Sequence, residues 1–258
     1  MNKSDIYSTT TEIEYLNMDT HLHEEHHQLI FMIKGTLHIT VDKKQYFLPE
    51  RFIGLIPAKC AHNLQSRNER VKMFLIYFPN SIKLEQFLPL TSNSFVLENL
   101  LYISQQSEQL NKKKHLELYN FTYSFLEMIK TIDSLQSFPL KGFISSKNER
   151  LQNVLSFIDK NYQEQINLTQ IADKFGFSVR NLTRLFKKEM MSFTNYLNHV
   201  RIIHAIELFT DYNEDIEKVG YSVGYNTLSN FSRTFKKFTG QSPTAFIKAN
   251  KTSVFLDI

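Results

Sequence analysis

Two nine-residue stretches of this chain carry cationic and hydrogen-bonding side chains in the same order. RNLTRLFKK covers residues 180–188 and SNFSRTFKK covers residues 229–237. An arginine can donate two parallel hydrogen bonds to a base edge, and lysines neutralise phosphates, so this chemistry suits recognition of a nucleic acid. The motif Arg-x-Phe-Lys-Lys begins at Arg184 and again at Arg233, 49 residues later. Its recurrence predicts two copies of one binding unit.

Each copy also contains the same turn before the basic stretch. Gly176 and Gly224 each lie between two short segments of helical pattern. Glycine accepts a positive φ angle, which lets two short helices meet at a steep angle. Ala172 and Gly220, on the helix before the turn, are small enough for a close helix–helix approach. We therefore predict helix, glycine turn, helix in each copy.

The second helix of each copy divides into two faces. Helical spacing assigns Leu182 and Phe186 in the first copy, and Leu228, Phe231 and Phe235 in the second, to the core. The outer face lacks acidic residues, as expected for a helix that lies in a major groove. The residues predicted to bind DNA are Arg180, Thr183, Arg184, Lys187, Lys188, Thr227, Asn230, Arg233, Lys236 and Lys237.

Within this set, we expect the four lysines to contact phosphates. Arg180, Arg184, Asn230 and Arg233 are the expected base readers or their neighbours. A single basic helix of this kind is equally typical of a solvated face, and the two copies in register favour the DNA interpretation. An alternative for Arg233 is pairing with an acidic group inside the fold.

The charge of the chain is unevenly distributed. Residues 141–258 contain 16 Lys+Arg and 11 Asp+Glu, for a net charge of +5, and residues 1–140 contain 14 and 15, for −1. A basic half fits a polyanionic partner. The single cysteine, Cys60, excludes an internal disulfide framework. The polar start of the sequence and its short apolar runs predict no signal peptide and no membrane span, and hence a cytoplasmic location.

Hydrophobic periodicity predicts an α+β protein. Residues 27–78 alternate short β-rich runs with turn signals, which indicates a sandwich or small barrel. Residues 94–133 show helical spacing broken by a polar stretch, which indicates a helical hairpin. The hairpin has more apolar positions than it can bury on itself, so we expect it to form a homodimer interface or to pack against its own barrel.

The C-terminal part is predicted to be all-helical, with about seven helices. Asn167, Ser178, Asp215 and Asn226 stand where helix N-caps are needed, and Pro243 suits a first helical turn. A Pro-, Gly- and Ser-containing stretch before it predicts a linker. The predicted domains are a barrel at 1–90, the helical hairpin at 91–135, the linker at 136–147 and the helical domain at 148–258.

Residues 148–250 resemble the DNA-binding domain of the AraC/XylS family of bacterial transcription regulators. The resemblance rests on LTQIADKFGFS, LTRLFKK, NYLNHVRIIHAIELF and VGYNTLSNFSRTFKKFTGQSP. It implies two helix-turn-helix units joined by a long helix, each reading an adjacent segment of double-stranded DNA, with RNA polymerase as a partner if the protein is an activator. After the first FKK, this chain has EMMSF where the family has a longer Thr-Gly turn, which predicts an altered end of the first recognition helix.

The first half resembles the cupin barrels. The spacing of His21, His23, Gln28 and Gly35 is similar to the first cupin motif, and the stretch that ends at His62 is similar to the second. In metal-binding cupins, three histidines and a glutamate converge on a metal ion. Gln28 occupies the glutamate position and supplies no charge to offset a divalent cation.

Three interpretations of these histidines stay open. Our prediction assigns His21, His23, Gln28 and His62 to a pocket for a small-molecule effector, with no metal and no cofactor. The alternatives are a weakened metal site with Gln28 as fourth ligand, and histidines satisfied inside the barrel without any ligand. His26 and His27 are expected in an exposed loop, and Cys60 is expected to pack, with oxidation sensing as the alternative.

The sequence therefore predicts a transcription regulator that is not an enzyme. Two other classes compete with it. A metal-dependent cupin enzyme is disfavoured by Gln28 and by the basic helical half. A module whose basic face binds an acidic protein or RNA differs from a regulator in being indifferent to duplex sequence.

Overall fold

The protein is described by a computed structural model. It describes residues 2–42, 44–66, 70–106, 109–132, 146, 148–189, 191–211 and 214–251. The chain divides into two compact units, one comprising residues 1–42, 48–138 and 256–258 and the other residues 43–47 and 139–255. Of the predicted linker, Ser146 alone lies within the described residues.

The first unit is rich in antiparallel strands. One six-stranded sheet has the order β8-β5-β2-β7-β1-β9, and a three-stranded sheet has the order β4-β3-β6. The described pairings thus form two open sheets, so the β-rich prediction is confirmed and a closed barrel is not. The strands are β1 (Ile6–Glu14), β2 (His26–Lys34), β3 (Leu37–Val41), β4 (Lys44–Leu48), β5 (Phe52–Ile56), β6 (His62–Gln65), β7 (Arg70–Pro79), β8 (Leu88–Thr91) and β9 (Gln109–Leu110).

Strand β2 lies at the centre of the larger sheet, between β5 and β7. Because both neighbours pair with it, nearly all of its residues are buried, including its first two. His26 and His27 are each 4% exposed, so the prediction of an exposed loop is wrong. Their ring nitrogens contact the backbone carbonyl oxygens of Asp5 and Ile82, at 3.2 and 2.7 Å, which satisfies them inside the fold.

Two helices follow the sheets, as the hairpin prediction requires. They are α1 (Ser94–Ser104), which Asn93 caps, and α2 (Leu116–Ile129). Their buried faces join the hydrophobic core of the larger sheet. Large apolar side chains nevertheless remain exposed on both helices: Phe95, Tyr102, Leu116, Phe121 and Met128. The dimer interface therefore stays a prediction.

The second unit is helical apart from residues 44–47 of strand β4, which the division assigns to it. Its seven helices among the described residues agree with the number predicted. Three of the predicted caps accept backbone hydrogen bonds: Asn167 in a capping box with Gln170, Ser178, and Asp215. The helices are α3 (Glu149–Lys160), α4 (Leu168–Lys174), α5 (Val179–Lys188), α6 (Phe193–Asp211), α7 (Ile216–Ser222), α8 (Leu228–Thr239) and α9 (Pro243–Lys251).

The long helix α6 contacts both short recognition helices. Near its start, the rings of Phe193 and Tyr196 lie 6.0 and 6.2 Å from Phe186 of α5. Near its end, Phe209 lies 6.3 and 5.8 Å from Phe231 and Phe235 of α8. At 1.5 Å per residue the helix is about 28 Å long. It is thus the scaffold on which α5 and α8 are both mounted. Within the described residues, no helix is long and apolar enough to span a membrane.

Candidate functional site

The first helix-turn-helix unit consists of α4, a glycine turn and α5. Gly176 has a φ of +65°, in the region that favours glycine, and Ala172 is fully buried where the helices meet. Arg150, from α3, donates hydrogen bonds to the carbonyl oxygens of Phe175 and Gly176, at 3.2 and 3.1 Å. Its guanidinium also lies 4.2 Å from the ring centroid of Phe177. Arg150 therefore fixes the turn from outside.

The second helix-turn-helix unit consists of α7, a glycine turn and α8. Gly224 has a φ of +92°. A Cβ atom on Gly220 would lie 3.1 Å from the Phe231 ring, which confirms that a small residue is needed for the close approach of α7 and α8. Arg201, from α6, lies 5.4 Å from the ring of Tyr225, the residue after the turn glycine. Each turn thus has an arginine from a preceding helix over its aromatic residue.

Arg201 is the more deeply held of these two arginines. It is 7% exposed and donates hydrogen bonds to the carbonyl oxygens of Tyr162 and Glu164, both at 2.8 Å. Burial lowers the pKa of its guanidinium. Sequence reasoning missed both arginines, although each precedes its turn glycine by about the same distance, 26 residues for Arg150 and 23 for Arg201.

Both recognition helices begin with the same hydrogen-bond pattern. Ser178 accepts from the backbone N–H of Asn181, and Thr227 accepts from that of Asn230, at 3.2 and 3.3 Å. The Asn181 side chain then accepts from Arg184 at 3.2 Å, and the second copy repeats this bond between Asn230 and Arg233 at the same distance. Among the residues that the structure describes, Arg233 pairs with Asn230 and with no acidic group, and both arginines make equivalent hydrogen bonds.

The predicted DNA-binding residues lie at the surface. All are exposed except Thr183, which is half-buried and donates to the carbonyl oxygen of Val179. Leu182, Phe186, Phe231 and Phe235 are at most 1% exposed on the opposite faces, as predicted. Within the described part of the chain, no carboxylate pairs with any of the seven predicted cations: Arg180, Arg184, Lys187, Lys188, Arg233, Lys236 and Lys237.

Two details of the second helix-turn-helix unit differ from the prediction. Leu228 is 38% exposed, because it is the first residue of α8 and precedes the buried face. Thr227, not Asn226, is the N-cap, so its hydroxyl oxygen already accepts a backbone hydrogen bond.

The ends of the two recognition helices differ, as the EMMSF departure predicts. Helix α8 has 12 residues and is capped by Gly240 with a φ of +82°. Helix α5 has 10 residues and is capped by Glu189 with a φ of −86°.

In the strand-rich first unit of the chain, the structure brings His21, His23 and His62 together. One nitrogen from each ring lies within 4.8 Å of the others. His21 and His62 are held by a backbone bridge, with two hydrogen bonds of 2.9 Å between them. Gln28 belongs to the same group, since its side chain donates to the Tyr77 hydroxyl at 3.3 Å and the Tyr77 ring contacts His23. The four predicted effector-binding residues are therefore neighbours.

Two of these imidazoles have one nitrogen committed to the backbone. Nδ1 of His21 lies 2.9 Å from the carbonyl oxygen of Asp19, and Nδ1 of His62 lies 2.9 Å from that of Cys60. A carbonyl oxygen can only accept, so each Nδ1 carries the proton and each Nε2 presents a lone pair. Burial and the neighbouring His62 and His21 lower the pKa of His23 to about 4. Burial also lowers the pKa of His62, so the neutral form is favoured in the rings of both His23 and His62.

Cys60 is not a reactive thiol. Its Sγ lies 3.3 Å from a carboxylate oxygen of Asp42. Burial and this carboxylate raise the pKa of the thiol to about 11, so little thiolate forms near neutral pH. A packing role fits this environment better than oxidation sensing.

Part of the second unit is similar to known proteins. Residues 171–249 match the family model of a helix-turn-helix domain. The lactose operon transcription activator of Staphylococcus xylosus is 29% identical over 146 residues, which are 55% of this chain and 50% of the relative. The transcriptional activator RhaS of Pectobacterium carotovorum is 28% identical over 99 residues, 38% of this chain and 36% of the relative. The chain thus spans at most half the length of these curated relatives.

Solved structures give similar matches. The C-terminal domain of AraT, a response regulator of Geobacillus stearothermophilus, is 27% identical; the match covers 43% of this chain and 93% of that domain, with a TM-score of 0.40.

Proposed function

We propose that the protein is a sequence-specific DNA-binding transcription regulator, whose residues 171–249 form a helix-turn-helix domain of the AraC type. Its two helix-turn-helix units read adjacent major-groove segments of one duplex. The first unit of the chain modulates this binding through an effector or through dimerisation. The role is regulatory and not catalytic, in keeping with the relatives, which are named as transcription activators.

One observation carries the proposal: the same exposed, acid-free surface is built twice on one scaffold helix. Each copy starts with a hydroxyl N-cap, continues with an Asn–Arg hydrogen bond and ends with two lysines. A helix that only covers a core does not require an identical polar pattern on its outer face. DNA, whose grooves repeat along the axis, does present the same chemistry twice.

The two kinds of cation have different expected tasks. Lys187, Lys188, Lys236 and Lys237 lie in the last turns of α5 and α8, where they can reach phosphates on the groove edges. Arg184 and Arg233 lie one turn after the helix start, and their Asn partners limit the directions that each guanidinium can take. We assign base reading to Arg180, Arg184, Asn230 and Arg233, with Thr183 and Thr227 as neighbours.

The helices α1 and α2 supply the proposed dimer contact. Their exposed rings are close together: Tyr102 and Phe121 pack edge-to-face at 5.6 Å, and each is more than 40% exposed. Sedimentation of the full-length protein at micromolar concentration tests this, and we expect a dimer that Phe121→Lys converts to monomer. A monomeric wild type removes the dimer from the proposal. If the protein activates transcription, RNA polymerase is the further partner.

Selection from a random duplex library with full-length protein tests the DNA proposal directly. We expect enrichment of one sequence with two recognition elements about one helical turn apart. Titration of that duplex then compares Arg184→Ala, Arg233→Ala and the control Lys160→Ala. Lys160 is an exposed cation at the end of α3, so its variant removes one charge from the same unit without touching α5 or α8.

The outcomes separate DNA reading from general basicity. A base-reading arginine contributes about 1–3 kcal/mol, so each arginine variant is expected to bind about 5- to 150-fold more weakly to the selected duplex. The control should change affinity by less than about twofold. Equal losses in all three variants, or no enriched sequence, would instead support an RNA- or protein-binding module.

A further inference from the structure

We propose that His21, His23 and His62 bind one divalent transition-metal ion of the zinc class, and that this ion is the effector of the first unit. This inference rests on the proposed function for its regulatory part, whereas the metal site itself stands on the geometry of the first unit alone.

The first step is the state of the ring nitrogens. Within the described part of the chain, the buried Nε2 of His62 has no hydrogen-bond partner, and the buried Nε2 of His23 and the buried Oε1 of Gln28 have none but each other. Buried polar atoms without partners cost about 1–3 kcal/mol each, so a native protein seldom gathers several in one place. Each of the three atoms can donate an electron pair, the His23 nitrogen when its ring proton is on Nδ1. A ligand that satisfies them together must therefore be an acceptor of electron pairs or a donor of several hydrogen bonds.

The size of the group limits what this ligand can be. The ring centroids of His21 and His62 are 4.3 Å apart, and His23 is 5.3 Å from each. In a tetrahedral zinc site with Zn–N bonds of about 2.0–2.1 Å, the ligand nitrogens are about 3.4 Å apart. Nitrogens within 4.8 Å reach that distance by small side-chain rotations. Three rings at this spacing can therefore share a single ion.

The donor types select the ion. Three imidazoles and an amide oxygen suit zinc, nickel, cobalt or copper, whereas calcium and magnesium prefer several carboxylate oxygens. The carbonyl oxygens of Asp19 and Cys60 orient the rings of His21 and His62, which is the usual supporting arrangement for metal-binding histidines.

Gln28 makes the site weaker than one with a carboxylate. Its neutral amide leaves the two positive charges of the ion without compensation among these four side chains. A site of moderate affinity exchanges its ion with the surroundings, which a sensor requires. The same feature provides a gain-of-affinity test, because Gln28→Glu would supply the missing charge.

The site is tested with full-length protein that carries no histidine tag and has been treated with a chelator. Cobalt serves as the spectroscopic probe, and zinc competes it away. We expect one ion per chain, visible d–d absorption typical of tetrahedral nitrogen ligation, and loss of both in His21→Gln and His23→Gln. The matched control is His115→Gln, a histidine of the same unit outside the cluster. Gln28→Glu is expected to tighten zinc binding by about tenfold.

Folding and regulation are measured separately. Zinc should raise the Tm of wild type but not that of His21→Gln, and near-wild-type circular dichroism of the variant shows that it has folded. On the selected duplex, zinc should change the affinity of wild type by at least about fivefold, and that of His21→Gln by less than about twofold. No stoichiometric metal, or equal binding by His21→Gln and His115→Gln, overturns the site.

The two proposals fail in different ways. Sequence-specific DNA binding that is insensitive to zinc, in a protein that binds zinc at these histidines, overturns the effector role and leaves the proposed function intact. A zinc-loaded protein that selects no duplex sequence overturns the proposed function and leaves the metal site intact.

Discussion

Substitution of Gly224 by alanine should lower the free energy of unfolding of the helical second unit more than the same change at Gly176 or Gly240. All three glycines have a positive φ. A Cβ atom at Gly224 would lie 2.7 Å from the carbonyl oxygen of Gln163, 2.8 Å from the Arg201 guanidinium and 2.9 Å from the carbonyl oxygen of Tyr162. At Gly176 the nearest atom would be 3.9 Å away, and at Gly240 nothing lies within 4 Å.

The magnitude follows from these distances. A left-handed backbone costs an alanine about 1–2 kcal/mol, which is the whole expected effect at Gly176 and Gly240. At Gly224 the turn must also move away from two backbone carbonyls. That movement disrupts the hydrogen bond from Gln165 to the Gly224 carbonyl oxygen, or one of the Arg201 hydrogen bonds. A hydrogen bond to a charged group contributes about 1.5–3 kcal/mol, so the total loss is about 2.5–5 kcal/mol if an Arg201 bond is the one that breaks.

Urea unfolding followed by circular dichroism at the helix band measures these differences, because most helices of the described residues belong to the second unit. Affinity for the selected duplex, measured in the absence of urea, reports whether α8 is still correctly presented. If Gly224→Ala and Gly240→Ala differ by less than about 0.5 kcal/mol, the steric reasoning for this turn is refuted.

Further predictions concern charge, a buried arginine and pH. If the four lysines alone neutralise phosphates, doubling the salt concentration should weaken DNA binding about 12-fold. If all seven cations do so, the expected loss is about 80-fold. A loss of less than about threefold in a salt titration would contradict groove binding. Arg201→Ala should lower the free energy of unfolding of the second unit by about 2–4 kcal/mol, because it leaves the carbonyl oxygens of Tyr162 and Glu164 unpaired. Urea titrations measure this loss, and an equal loss in Arg150→Ala would contradict the prediction. Burial raises the pKa of Glu50 from 4.5 to about 7, against the opposing charge of Arg51, so the folded state binds more protons than the unfolded state between these values and stability should fall as the pH rises through them. Glu50→Gln should therefore stabilise the first unit by about 1–2 kcal/mol near pH 8 and by little near pH 4, as tyrosine fluorescence in urea would show; an equal effect at both pH values would refute the assignment.

The binding surface was the part most accessible from sequence. The repeat of Arg184 as Arg233 fixes a register of 49 residues between the two recognition helices, which predicts their buried faces. The turn glycines Gly176 and Gly224 are 48 residues apart and were recognised from their own position between two short helical segments. The Asn–Arg hydrogen bonds were not predicted, although both copies have an asparagine three residues before the arginine. The contacts of Arg150 and Arg201 with the turns were not predicted, because both arginines lie on other helices and only the fold brings them to the turns.

Other features depended on tertiary context. Strand β1 was not predicted, because its run of threonines and charged residues is polar and mostly exposed. It is a strand because β7 offers a long edge to pair with. His26 and His27 were misassigned for the related reason that a histidine carries no hydrophobic signal, yet hydrogen bonds to the backbone make its burial inexpensive. The convergence of His21 with His62, through a backbone bridge across 41 residues, was predicted from the resemblance to the two cupin motifs and not from a local pattern.

Because α6 carries the arginine that fixes the second turn, it is both a spacer and the opening helix of the second copy. Its length cannot then be adjusted freely. One inserted residue would turn everything beyond it by about 100° around the helix axis and advance it by about 1.5 Å. The distance and phase between the two half-elements in any cognate site should therefore be invariant, and targets should diverge from one another only in the bases within each half-element.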